Sequence, residues 1–332
     1  MRIRLSMSVW LMSCLVTMFA SAMADDRVPV KTPSGTSRET SPFRVVGYLP
    51  DYRLAAFDES TARLVTDLVV FSAEIDASGK LDTKRLPPEQ LRRLKQIKQR
   101  TRVSLILCVG GWDRSRGFAA MTASSDARQR FVQEATRLCL DQRFDGIDFD
   151  WEHPANETEQ QNYARLLTET KSAFQEHGLA VSVTIAAWQQ LTPAAFQAVD
   201  AVHVMAYDHE GRHSTLDGAK RDIQSLLDRG VPASKLLLGL PFYGRGITTA
   251  DRTLTFAEIA QKHSLAADVD EVDGLFFNGP RTIERKVDFA KGSHLGGVMI
   301  WELGQDAAGE KSLLRRVAQP SGTPSRPPQR PR

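Results

Sequence analysis

Cysteine is scarce in this chain: three in 332 residues, at Cys14, Cys108 and Cys139. So few cannot form a disulfide framework, and no Cys/His group has the spacing of a metal site, so neither metal nor cofactor is expected. No glycine-rich phosphate loop stands between a strand and a helix, which removes the usual nucleotide-binding signature. Long apolar runs are also missing outside the first residues; the remaining runs are of strand length, too short to span a bilayer. No basic helix interleaved with aromatics is present, so nucleic acid is not an expected partner. An excess of one charge is lacking too. The formal charge is +3, and Arg2, Arg4, Arg326, Arg330 and Arg332 lie in terminal segments, which leaves the central chain weakly acidic.

What is present reads as an ordinary globular protein, 42% hydrophobic and 25% charged. Arg2 and Arg4, an apolar run from Val9 to Phe19 and the small residues Ala22-Met23-Ala24 form a secretory signal expected to be cut after Ala24. The weaker alternative is a lipoprotein signal ending at Cys14. A bacterial exported protein, periplasmic or extracellular, is the expectation. Residues 25–42 and 318–332, rich in Ser, Thr, Pro and charge, read as flexible ends. Between them, 43–317 shows no linker and is expected to be one domain and a monomer.

Within that stretch, eight short apolar runs alternate with amphipathic segments. The runs are Arg44 to Leu49, Leu68 to Ala73, Val103 to Val109, Gly146 to Trp151, Ala180 to Ala186, Ala201 to Tyr207, Leu236 to Phe242 and Gly297 to Trp301. Helices are expected at Pro88 to Gln99, Ala127 to Gln142, Glu157 to His177, Ala219 to Arg229 and Thr282 to Ala290, with Ser125 and Asp126 as capping residues of the second. Eightfold strand–helix alternation predicts an α/β fold, the (β/α)8 TIM barrel. Cys108 falls on a strand and Cys139 on a helix face, where free cysteine acts as a small hydrophobe; a single bridge between them is left open.

The most informative segment is Asp145-Gly146-Ile147-Asp148-Phe149-Asp150-Trp151-Glu152. Strand alternation points Asp148, Asp150 and Glu152 to one face, the packed interior of a barrel. Buried carboxylates cost several kcal/mol each unless paired or protonated. An acidic first turn of a helix fits poorly with the interleaved Ile147, Phe149 and Trp151, and a calcium loop lacks its glycine and ligand spacing. Like charges in a file raise one another's pKa, so a proton can be shared by Asp148 and Asp150. Glu152, at the C-terminal end where barrel active sites lie, is then placed as a general acid.

This segment resembles the D-x-x-D-x-D-x-E signature of glycoside hydrolase family 18, the chitinase family, at all four positions, Asp145, Asp148, Asp150 and Glu152. The resemblance continues through Val46-Gly47-Tyr48, Gly110-Gly111-Trp112, Met205-Ala206-Tyr207-Asp208, Gly239 to Arg245 and Gly297 to Trp301. It implies retaining hydrolysis of β-1,4-linked N-acetylglucosamine in which the substrate's own acetamido oxygen is the nucleophile. Glu152 is implied to be acid and then base, Asp150 to orient the acetamido group, Asp148 to be the proton partner of Asp150, and Tyr207 to donate to the acetamido oxygen. Trp301, with Tyr48 beside it, is implied to floor the reacting sugar and Trp112 to stack on the leaving side. Met205, Asp208, Tyr243 and Arg245 are implied to touch the glycan, with Asp145, Gly110 and Gly111 supporting. His203 shares the inward register of Met205 and Tyr207. Trp188, just after strand five, reads equally as a further platform or as ordinary packing.

Two departures from the family stand out. Cys108 takes the place of a serine, a poorer hydrogen-bond partner for the acidic relay of Asp145 and Asp148. After strand seven, Thr248 to Gly279 is too short for a full insertion lobe, which predicts a shallow, open cleft with endo-type, non-processive cleavage. Competing readings are a peptidoglycan or N-glycan-core endo-β-N-acetylglucosaminidase, and a non-catalytic chitinase-like lectin, although lectins of that kind typically lack the acid that Glu152 supplies.

Overall fold

A computed structural model describes residues 42–318. The expected signal, most of the N-terminal segment and nearly all of the C-terminal tail lie outside the described residues. Eight parallel strands close into a barrel: β1 (Arg44–Pro50), β2 (Asp67–Ile75), β3 (Ser104–Gly110), β4 (Gly146–Asp150), β5 (Ala180–Ile185), β6 (Ala201–Val204), β7 (Leu236–Pro241) and β8 (Gly297–Trp301). Pairing of β1 with both β8 and β2 completes the circle. The expected fold is the observed one.

Alternation sorts each strand into two layers. Val46 and Tyr48, Ile106 and Cys108, Leu237 and Met299 meet inside the barrel. Their neighbours Val45, Leu49, Leu105, Leu107, Leu238 and Val298 pack outward against the helices. On β4 to β6 the inward positions turn polar, with Asp148, Asp150, Ser182, Thr184 and His203 all buried. Registers Cys108↔Asp148 and Asp148↔Ser182 put these polar side chains side by side.

Helices Pro88–Thr101, Ser125–Gln142, Glu157–Gln175, Leu216–Asp228 and Pro280–Gly292 form the outer ring. The second is capped by Ser124, not by Ser125 or Asp126: the Ser124 hydroxyl accepts from Ala127 N at 3.3 Å. Pro193–Ala198 and Phe118–Ala123 are short helices that the apolar period was too brief to reveal. The link from β1 to β2 holds two 3-10 turns. After β7, a small antiparallel sheet of four strands, Tyr243–Gly246, Thr253–Thr255, Glu271–Val272 and Leu275–Phe276, stands with helix Phe256–Lys262 in place of a full insertion lobe. Thr255 and Glu258 form a capping box at that helix, which sets where it begins. Cys108 and Cys139 are both buried and free, which closes the question of a bridge.

One buried charge lies away from the barrel mouth. Lys286, 0% exposed on helix Pro280–Gly292, donates to the Ser214 carbonyl oxygen at 3.0 Å and its hydroxyl at 2.7 Å. Burial pushes its ammonium down to about 7, against the pull of the Asp270 and Asp222 charges. The unfolded chain therefore binds a proton here that the folded chain lacks between about pH 7 and 10, so this group makes stability rise with pH in that window. Urea unfolding of wild type and Lys286→Met at pH 7 and pH 9 checks this. The difference between the two proteins is expected to shift in favour of wild type by about 2 kcal/mol at the higher pH, and a flat difference would contradict it.

Candidate active site

The C-terminal ends of the strands open into a groove of about 910 Å³ walled by Trp112, Glu152, Met205, Tyr207, Asp208, Tyr243, Arg245 and Trp301, among others. A smaller pocket of about 160 Å³ shares Glu152, Tyr207 and Trp301 and reaches down to Asp150. Two glycines at the end of β3 let the acidic strand come this close. Gly110 and Gly111 have φ of +101° and +107°, and a Cβ on Gly110 would lie 2.3 Å from the Asp150 carbonyl oxygen, one on Gly111 2.3 Å from the Phe71 ring. Gly111 N then donates to that same carbonyl at 2.6 Å. Ser115 braces the turn, its hydroxyl accepting from Glu152 N at 3.1 Å.

Asp148 is wholly enclosed and accepts three hydroxyls, from Tyr48 at 2.7 Å, Ser182 at 2.6 Å and Thr184 at 2.9 Å, with His203 Nδ1 3.3 Å away. Tyr48, expected as a sugar-contacting face, is only 1% exposed, and its hydroxyl is directed at Asp148 and His203. Its ring lines the deep pocket together with Asp150 and lies 5.6 Å from that of Trp301. Asp145, expected beside the site, sits at the opposite, N-terminal end of β4. There its carboxylate pairs with Lys98 at 2.6 Å and accepts from Leu105 N at 2.8 Å, so it ties strand to helix rather than taking part in an acidic relay. Cys108, pushed well up by burial and by the charges of Asp148 and Asp150, is a neutral thiol beside them.

Asp150 is 3% exposed and its Oδ1 has no hydrogen-bond partner among the described residues. Burial, then the charges of Glu152 and Asp148, push its carboxyl well above the usual range. Glu152 is pushed up to about 7, first by burial, then by the charges of Asp208 and Asp113, against a backbone N–H from Trp112 that favours the anion. The third carboxylate is treated oppositely. Burial pushes Asp208 upward, but nearby His213, 3.6 Å away, the bond from Tyr243 and the charge of Arg245 hold it below its ordinary value. Tyr243 donates to Asp208 Oδ1 at 2.6 Å and Arg245 lies 3.1 Å from the same atom. Asp208 adopts φ +63°, a left-handed conformation that aspartate tolerates better than most residues. The mouth thus holds one persistent anion, Asp208, beside an acid kept protonated near neutrality, Glu152, an arrangement suited to general acid–base chemistry.

Trp301 rests on Phe71 at 4.8 Å, edge to face, and Phe71 in turn lies under the Arg114 guanidinium. Trp112 and Trp188 stand out into solvent, 69% and 67% exposed. Tyr207, buried up to its tip, approaches Met299 Sδ at 3.8 Å and borders the deep pocket. Arg53, His153 and Gln305 also line the groove and were not expected. His153 follows the acid directly, so adjacency could have flagged it; Arg53 and Gln305 come from loops with no periodic signal. Ser182 and Thr184 carried a legible one, two polar residues at period 2 in an apolar strand.

Comparison with known proteins agrees with this geometry. A family model described as Glycosyl hydrolases family 18 matches residues 44–306. Chitinase 1 of Aphanocladium album is 29% identical over 294 residues, which cover 71% of this chain and 69% of that protein. Among solved structures, a GH18 chitinase from the chitin utilization locus of Flavobacterium johnsoniae superposes with a TM-score of 0.75 at 26% identity, covering 84% of this chain and 93% of that one. A plant class V chitinase mutant from Cycas revoluta in complex with (GlcNAc)3 superposes with a TM-score of 0.73 at 26% identity, covering 83% and 98%.

Proposed function

This chain belongs to glycosyl hydrolases family 18 and is a glycoside hydrolase acting on O-glycosyl bonds, and from that premise we propose that it is an exported chitinase. Its substrate in this reading is β-1,4-linked N-acetylglucosamine, as chitin or chitooligosaccharides, cleaved with retention and with substrate assistance. The observation that carries the reading is Glu152 held at about 7 beside a pocket floored by Trp301 and ending on Asp150.

The steps follow from the residues in place. A sugar lying on Trp301 turns its acetamido group down into the deep pocket. Asp150 accepts the acetamido N–H on its unpartnered Oδ1, and Tyr207 donates to the acetamido oxygen. Glu152 gives its proton to the glycosidic oxygen as the C1–O bond breaks. The acetamido oxygen bonds to C1 from the opposite face, and Asp150, its proton passed to Asp148, balances the positive oxazolinium ion as a carboxylate. Glu152, now an anion, takes a proton from water, whose oxygen bonds to C1 and reopens the ring with retained configuration. The atoms of one water are added across the bond, and Glu152 ends protonated. Fixed groups aimed at developing charge contribute several kcal/mol to such a reaction.

The small sheet after β7 supports an open groove, endo-type cleavage and early release of the chain. The test sets chitin oligomers, peptidoglycan and a glycoprotein side by side, with the anomer formed first read by NMR. The expected result is rapid cleavage of chitin oligomers at internal bonds to the β-anomer. First formation of the α-anomer would contradict retention, exclusive release of disaccharide from chain ends would contradict the open cleft, and faster turnover of either other glycan would reassign the substrate.

A further inference from the structure

No step of the reaction uses His153, which follows the acid directly in the chain and lines the same groove. Its imidazole is held by the turn after β5. The ring meets Trp188 edge-on at 4.7 Å, and Nδ1 lies 3.0 Å from Gln189 Oε1. Gln189 is buried, and its amide nitrogen donates to the Trp151 carbonyl oxygen at 3.2 Å. With the nitrogen engaged there, the end of the amide that faces the ring is an acceptor, so Nδ1 carries the hydrogen and the neutral ring has its lone pair on Nε2. Nε2 lies 3.6 Å from Glu152 Oε2.

A lone pair placed beside a carboxyl oxygen repels the carboxylate, whereas one proton between the two atoms turns repulsion into attraction. The separation is longer than a formed hydrogen bond, but the terminal torsion of a glutamate is broad, so Oε2 closes the gap at small cost. Burial pushes the His153 imidazole down, against the Gln189 bond, which keeps the ring neutral near pH 7 and able to accept. The other groups acting on Glu152 come from separate elements: Asp208 from the loop after β6, Asp113 and the Trp112 N–H from the loop after β3, and Asp150 from β4 itself. The three carboxylates act on the proton through charge; His153 presents a lone pair to it.

We propose that His153 is a positioning residue for the catalytic acid, its Nε2 sharing the Glu152 proton in the resting enzyme and releasing it when the glycosidic oxygen arrives. The ring stays neutral throughout, and the proton leaves from Oε2 and returns there from water. The inference rests on the chitinase reading, in which Glu152 is the acid, and adds a residue that sets the pH range over which that acid is ready.

The test follows kcat/KM on hexa-N-acetylchitohexaose from pH 5 to 9 in wild type and His153→Phe, since kcat/KM reports the free enzyme. Phenylalanine keeps a ring edge against Trp188 and removes both nitrogens, so a role in packing alone leaves the profile unchanged. The alkaline limb is expected to move down by about 0.5 to 1 pH unit, the effect of one hydrogen bond, while the rate at pH 5 stays within about threefold of wild type. A limb that stays in place, or an equal loss at every pH, would overturn the proposal. A second measurement needs neither a substrate nor a variant: nitrogen NMR of the wild-type His153 imidazole, assigned through bonds. The neutral ring is expected to carry its hydrogen on Nδ1, and the Nε2 resonance to move as Glu152 loses its proton; a hydrogen on Nε2, or an Nε2 resonance that does not follow Glu152, overturns the proposal as well. Wild type without activity on chitin oligomers would overturn the chitinase reading, and the NMR titration would still decide whether His153 shares the Glu152 proton.

Discussion

Replacing Glu152 by glutamine is expected to lower kcat on chitin oligomers by about a thousandfold while changing KM little. The amide keeps the size and most contacts of the carboxylic acid, so the groove should hold its shape and its affinity, but it cannot hand a proton to the leaving oxygen. The same group sets the pH profile. Burial and the Asp208 charge keep Glu152 protonated up to about 7, so the active form is present below that value and is lost as pH rises through it. Activity should therefore show an alkaline limb near pH 7. Asp208→Asn removes one of the charges that hold the proton on, and the limb should move to lower pH. Steady-state kinetics from pH 5 to 9 measure both effects. Less than a tenfold loss in Glu152→Gln would remove Glu152 from the acid role.

Asp150→Asn is expected to cost kcat about a hundredfold or more on the same substrates. Asp150 is neutral in the empty enzyme because burial and its two acidic neighbours oppose ionisation, so the neutral amide should fold with little change in melting temperature. Its cost appears only when positive charge develops on the sugar, which a carboxylate can balance and an amide cannot. The loss should accordingly fall in kcat far more than in KM. A variant within tenfold of wild type would mean that the oxazolinium charge is balanced elsewhere. Asp148 differs in kind, since its three hydroxyl donors come from β1 and β5, and its replacement should reduce stability along with activity.

Much of this molecule was legible in the sequence wherever the information was local. Strand alternation and helix spacing depend on a few consecutive residues, and they were enough to foresee eight strands and to point Asp148, Asp150 and Glu152 inward. Even the shortness of the segment after β7 was countable, and the structure has a small four-stranded sheet there.

What required the tertiary structure was anything summed over groups far apart in the chain. The Tyr48 hydroxyl lies 100 residues from Asp148 in sequence and 2.7 Å from it in space, so whether it faces a sugar or a carboxylate depends on how barrel closure brings β1 and β4 together. Asp145 shares a motif with Glu152 yet belongs to the other end of the barrel, because a strand carries its first and last residues to opposite faces of the fold. Glu152 was marked as an acid by its place on the strand, but its value near 7 comes from burial and from Asp208 on a different strand's loop. Trp188 could be read either way from sequence, as core or platform. Packing ruled out the core: the indole stands 67% exposed in the groove wall, edge-on to His153 at 4.7 Å.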